Sequence, residues 1–331
     1  MTTIHLLRVA LLLSCTLLTA GASPANKIGA AAVSEANQQA RAQDPSRRLE
    51  VEHFKVATYP LGMAFDGENI WVTNYNNITG ERAFLIVLRA SDGSLVRKIK
   101  APYFSGHAAF DGTFIWTTDS YYESRSVTRY RLDGTIEGTY DIGLYDPYSI
   151  LFDGENMWVA SVDGVSVSKI RASDATVLAV YSIPSQGVLD FTYDGENLWI
   201  SNYRDNTLVK LRGSDGAVLG VFTALDPLGI TFDGTYIWVA SSSQSALLKF
   251  DLAGNQLLKV SLPYAPVYLV SDGNELWVGG VGSVVMEVSL EGRVKRSVPV
   301  GPTPQSLLFD GQSIWVSLFY KGVVSKITPV Q

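Results

Sequence analysis

Seven copies of one heptapeptide, each ending in tryptophan, run through this chain and account for every tryptophan in it. They read FDGENIW from Phe65 to Trp71, FDGTFIW from Phe110 to Trp116 and FDGENMW from Phe152 to Trp158. YDGENLW follows from Tyr193 to Trp199, FDGTYIW from Phe232 to Trp238, SDGNELW from Ser271 to Trp277 and FDGQSIW from Phe309 to Trp315. Successive tryptophans lie 45, 42, 41, 39, 39 and 38 residues apart. A period of about 40, written in strand-forming residues, marks a radial β-repeat rather than a helical solenoid. The copy number predicts an all-β fold, a seven-bladed β-propeller of four-stranded antiparallel blades.

The fourth copy shows how a blade is written. Strand A is expected over Gly187 to Tyr193, B over Leu198 to Asn202, C over Thr207 to Arg212 and D over Ala217 to Thr223. Asp194-Gly195 turns A into B and Asp215-Gly216 turns C into D. Aspartate suits such turns because its carboxylate bonds nearby backbone, and glycine because it accepts positive φ. Strand B is apolar on both faces, so the tryptophans read as packing between blades. The last copy runs out soon after its third strand, Val323 to Ile327, whereas Val51 to Thr58 is a strand with no blade of its own. The N-terminal strand is therefore expected to complete blade seven and close the ring, which removes an exposed sheet edge.

Ahead of that strand the composition changes. Arg8, an apolar run from Val9 to Ala20 and the small residues Ala20-Gly21-Ala22 read as a cleavable export signal over 1–22, followed by a flexible linker over 23–50 and the propeller over 51–331. The run is too short for a transmembrane anchor. Cys15 could instead be a lipid-attachment site, but the apolar run continues past it, so cleavage after Ala22 and a periplasmic or secreted monomer are expected. Cys15 is the only cysteine, which excludes disulfide and thiolate chemistry from the mature chain. With 26 basic and 32 acidic residues there is no basic excess for nucleic acid.

The FDG-x-x-[IL]-W-[VI] repeat, seven blades and an export signal together resemble the bacterial propeller superfamily of YVTN-type and NHL-type repeats and the virginiamycin B lyase-like (streptogramin lyase) group. The resemblance spans Val51 to Gln331. For the lyase group it implies metal-assisted elimination by histidines and glutamates on the top face, the face of the B–C loops. This chain departs from that set. Beyond the signal only His53 and His107 remain, and Glu68, Glu155, Glu196 and Glu275 fall in A–B turns on the opposite face.

Candidate site residues come from strand A and the top loops. The position three before the aromatic of each motif is Gly62, His107, Ser149, Asp190, Gly229, Tyr268 or Ser306, small or polar throughout, as a wetted channel mouth would be. The top loops are rich in aromatics and amides: Tyr75, Tyr103, Phe104, Tyr121, Tyr145, Tyr148, Asn202, Tyr203, Phe319 and Tyr320. Such surfaces suit a small molecule, a glycan or a protein partner. The expected ligand-binding set is Tyr75, Asp119, Tyr121, Tyr148, Asp190, Asn202, Tyr203, Tyr268 and Tyr320, on a non-catalytic binding platform with no cofactor. The alternative is a metal-dependent lyase or lactone hydrolase. There His107 and Asp190 would be catalytic, with calcium or magnesium held by Asp119, Asp146 and Asp190.

Overall fold

A computed structural model describes residues 48–75, 83–120, 123–162 and 164–330. Its strands form seven four-stranded antiparallel sheets, one per motif copy. In blade four the strands are Val188–Tyr193, Asn197–Asn202, Thr207–Arg212 and Val218–Thr223, within a residue or so of the expected bounds. Blade seven runs Pro304–Phe309, Ile314–Leu318 and Val323–Val330, with Arg48–Lys55 as its outer strand. That closing strand pairs antiparallel with the last one from Arg48 opposite Val330 to Lys55 opposite Val323. It starts three residues earlier than the sequence suggested, and the ring is closed as expected.

Each motif does more than make a turn. The first carboxylate oxygen of Asp194 accepts the backbone N–H groups of Glu196 and Asn197 at 2.9 and 2.7 Å, and the second accepts the Trp199 indole N–H at 2.8 Å. The same aspartate–tryptophan bond recurs in all seven blades at 2.6–2.8 Å. Every one of these tryptophans is fully buried. Burying an indole leaves its N–H without water, so a built-in acceptor five residues upstream lets the ring enter the core with its polar atom satisfied.

Two series of hydrogen bonds, each spanning five of the seven joints, tie blades to their neighbours. On the inside, a strand-B hydroxyl donates to a strand-A carbonyl of the following blade: Thr73 to Gly106, Thr118 to Tyr148, Ser201 to Leu228 and Ser317 to Leu61. Blade three has Ala160 at this position, and Ser149 makes the bond to the Leu189 carbonyl instead. On the outside, the strand-C residue opposite the tryptophan is basic in five blades. Arg129, Lys169, Lys210, Lys249 and Lys326 lie over the neighbouring indoles at about 5 Å. Their ends then donate to C–D turn carbonyls of the next blade: Ala172, Gly213, Leu252, Leu290 and Ala90. Such cation–π contacts favour Lys and Arg there beyond their charge alone.

Neither series spans the joint from blade six to blade seven. Strand B of blade six has Gly279 where blades one, two, four and seven have a hydroxyl, and blade seven has no C–D turn because its outer strand comes from the chain's start. Blade six accordingly has Glu287 in place of the basic residue, paired with Arg296 at 2.6 Å.

Two outcomes are expected. Asp194→Ala should cost about 2–4 kcal/mol by urea titration, since it strips a buried indole and two turn N–H groups of their acceptor. Glu196→Ala in the same turn should stay within about 0.5 kcal/mol. A chain beginning at Val56 lacks the closing strand, exposes the edge of Val323–Val330, and should melt earlier and aggregate in calorimetry.

Candidate functional site

Strand A descends from the top face, and its first half is sealed. Leu61, Tyr148, Leu189 and Leu228, from blades one, three, four and five, meet at the axis with Tyr75 and Phe319 in one apolar cluster, flanked by Tyr59, Tyr203 and Val267. This plug corrects the expected wetted mouth on the top face. The residue just above each polar position is a large apolar side chain in five of the seven blades, and those side chains fill the axis.

The plug also relocates several expected ligand contacts. Tyr75 and Tyr148 are 3% and 7% exposed, so they are core residues and not loop residues free to stack on a ligand. Asp119 is buried at the end of strand B, where it accepts hydrogen bonds from the Ser126 hydroxyl at 2.6 Å and the Thr128 hydroxyl at 3.0 Å. Burial raises its pKa to about 7, against the pull of those two bonds. Asn202 is buried too, and its amide donates to Asp205 at 2.8 Å and Thr207 at 3.1 Å, holding the B–C loop of blade four. Asp146 stands at a left-handed bend, φ 49°, just before Pro147 leads into strand A. Tyr121 lies outside the described residues.

Directly below the plug lies a polar layer drawn from five blades. His107 packs its ring against Tyr148 at 4.7 Å. The Tyr268 hydroxyl donates to Gln305 at 3.0 Å. Asp190 accepts the backbone N–H groups of Phe191 at 2.9 Å and Ile230 at 3.3 Å. Close approach of neighbouring A strands sets these positions. A Cβ on Gly62 would fall 2.7 Å from the His107 Cα, and one on Gly229 would fall 2.7 Å from the Val267 carbonyl oxygen. Burial lowers the His107 pKa to about 4 and raises that of Asp190 to about 7. It raises the Tyr148 and Tyr268 hydroxyls as well.

His107 and Asp190 both lie in this layer, Asp119 and Asp146 do not, and the four-residue constellation expected from the sequence is not assembled among the described residues. Among the described residues no three His, Cys, Asp or Glu side chains come together in a way that could hold a metal ion. Asp119 is already committed to two hydroxyls, so the residues present do not fit the calcium or magnesium of the alternative reading.

On the outer top face, aromatic rings form a continuous arc. Tyr320 meets Tyr59 at 6.3 Å, Tyr59 meets Phe319 at 5.1 Å, Phe319 meets Tyr75 at 6.3 Å and Tyr75 meets Phe104 at 6.5 Å. Tyr75 and Phe319 are buried and Tyr59 and Phe104 half-buried, while Tyr320 is 53% exposed and Tyr103, next to Phe104, 39%. Farther round, Arg125 lies over the Tyr145 ring at 4.8 Å, and Arg204 lies over Tyr203 at 5.5 Å and donates to its hydroxyl at 3.0 Å. Sequence reading missed Tyr59 and Arg125, for which only their places beside a strand-A entry and a strand-C start gave a signal. A concavity of about 260 Å³ on the opposite face, lined by Phe65, Glu68, Arg89, Ser91, Asp310 and Gln312, contains none of the expected residues.

No family model matches the chain, and no curated protein does. Among solved structures it is similar to virginiamycin B lyase from Staphylococcus aureus, in selenomethionine form, with a TM-score of 0.72 and 18% identity over 86% of this chain and 100% of that one. A streptogramin B lyase structure matches with the same score and identity, over 85% and 98%. At that identity the likeness is one of fold. Among the described residues no helix is long and apolar enough to cross a membrane.

Asp190 and His107 oppose each other in pH dependence. A carboxyl with a raised folded pKa stabilises fully below its unfolded value, and that stability is lost as pH rises from the ordinary carboxylate range towards 7. A histidine with a lowered folded pKa stabilises above its unfolded value, and the stability is lost as pH falls from about 6.5 towards 4. Asp190→Asn removes only the first. Relative to the wild type it should gain about 2 kcal/mol between pH 5 and pH 8 in urea titrations. Tyr148→Ala, which empties part of the plug, should lose about 3 kcal/mol or more.

Proposed function

We propose that this chain is an exported, non-catalytic propeller, periplasmic or secreted, that binds a glycan or a protein segment across its top face. The aromatic arc from Tyr320 through Tyr59, Phe319 and Tyr75 to Phe104 is the observation behind this reading. Exposed rings fixed from behind by buried rings lose little freedom on binding, which is what makes aromatic anchors effective. The flat faces of Tyr320 and Tyr103 suit sugar rings or apolar side chains, and the arginine–tyrosine pairs at Tyr145 and Tyr203 add hydrogen-bond donors at the rim. The fold shared with two lyases agrees with a ligand-binding propeller, while the hydroxyl-committed Asp119 and the separated Asp146 give the lyase or lactonase alternative no ligand set.

The test is an immobilised glycan and peptide array probed with the purified protein. Tyr103→Ala with Tyr320→Ala should weaken the strongest hits by roughly fivefold or more, with a thermal midpoint close to the wild type's. Glu155→Ala with Glu196→Ala, on the A–B turns of the opposite face, should leave them unchanged. The reverse pattern would overturn the assignment.

A further inference from the structure

The polar layer below the plug is in contact with water, although protein surrounds it and the top is closed. His107, Asp190, Tyr268 and Ser306 are half-buried, whereas Leu61, Gly106, Tyr148, Leu189, Leu228 and Gln305 directly above them are buried. All seven A strands show the same gradient, buried at the top and half-buried at the end that enters the A–B turn. The water therefore reaches the layer from below. The channel is blind at the plug and open on the A–B turn face.

The chemistry at the blind end is one-sided. Asp190 is a largely desolvated carboxylate whose only opposing influences are two backbone N–H groups, with no basic side chain acting on it. The His107 Nε2 is buried without a hydrogen-bond partner. A buried carboxylate without a cation and an orphaned imidazole nitrogen each leave free energy to be recovered by a suitable donor. The next residues down are different: Ala109, Leu151, Val270 and Leu308, two residues further along, pack against the clusters between blades with part of each side chain left exposed, and Thr192 and Thr231 are half-buried beside them. They would line an alkyl chain.

We propose that the blind end of the channel, built from Asp190, His107 and Tyr268 beneath the Tyr148–leucine plug, binds a primary alkylammonium ion entering from the A–B turn face. The ammonium group donates to the Asp190 carboxylate and to the His107 Nε2, and its chain lies along the Ala109–Leu151–Leu308 wall. The site is separate from the top-face arc, because the plug stands between them.

The experiment is a titration of the full chain with n-butylammonium chloride, followed through the His107 ring resonances by NMR. Sodium chloride at matched ionic strength and n-butanol serve as controls. Butylammonium should give a saturable shift at His107, and neither control should. Affinity should fall as pH drops from 8 to 5, where Asp190 takes up its proton while the titratable neighbours His107, Tyr148 and Tyr268 keep their charge state. Asp190→Asn should weaken binding by roughly tenfold or more, the scale of a hydrogen bond to a charged partner. Tyr103→Ala with Tyr320→Ala should leave the shift intact, which separates this site from the top face. An unmoved His107 resonance, an equal response to butanol, or pH-independent binding in the wild type would overturn the proposal. The wild-type pH series decides it even if the Asp190 variant does not fold.

Discussion

The hydrogen bond from each tryptophan indole to the aspartate five residues before it is the contact on which the rest of this ring depends. Propeller blades pack face to face, and the space between them must be filled by something large and flat. An indole fills it well, but its N–H cannot be taken out of water unpaired without a penalty. The acceptor is placed in the turn itself, so each blade satisfies its own tryptophan before any neighbour arrives. The aspartate meanwhile holds two turn N–H groups, which ties the A–B turn to the ring that packs beneath it. Once the indole is fixed, its exposed face sets where a lysine or arginine from strand C can lie, and that cation then reaches the next blade's carbonyl.

Much of the architecture was legible in the sequence because it is repeated. Seven tryptophans at a steady period define the blades, and the strand left over before Leu61 finds its place as soon as blade seven is seen to lack one. The candidate site was less legible, for a physical reason. Tyrosine at a strand end can either bury its ring or lay it open, and the two choices look alike in sequence. Tyr75 and Tyr148 turned inward because Leu61, Leu189, Leu228 and Phe319 offered them an apolar cluster, whereas Tyr320 had only the edge of Tyr59 and Phe319 to lean on and stayed half outside. Asp119 looked like a channel residue, but two strand-C hydroxyls lay opposite it and claimed it. His107 and Asp190 were readable as neighbours of the axis, because they share one register of strand A. That they lie below a plug was not readable, since the plug comes from the register one residue earlier.

The plug divides the molecule into two surfaces of different character. Above it are fixed aromatic rings with arginines at the rim, suited to broad, shallow contact. Below it lie a desolvated carboxylate and a neutral imidazole. The two sides share Tyr148, whose ring belongs to the plug and packs against His107 in the polar layer. Both surfaces therefore border on one residue.

The joint between blades six and seven is held differently from the others. Every other joint has at least one of the two series of cross-blade bonds, but among the described residues both are missing here, the outer because the closing strand leaves blade seven without a C–D turn and the inner because Gly279 has no hydroxyl. Borrowing the outer strand of blade seven from the chain's start fastens the two ends of the polypeptide to each other, yet it removes the C–D turn whose carbonyl the preceding blade would have grasped. The ring is therefore latched where the chain is cut, and one blade away a tyrosine–amide bond and an apolar cluster take over from the repeated cross-blade contacts.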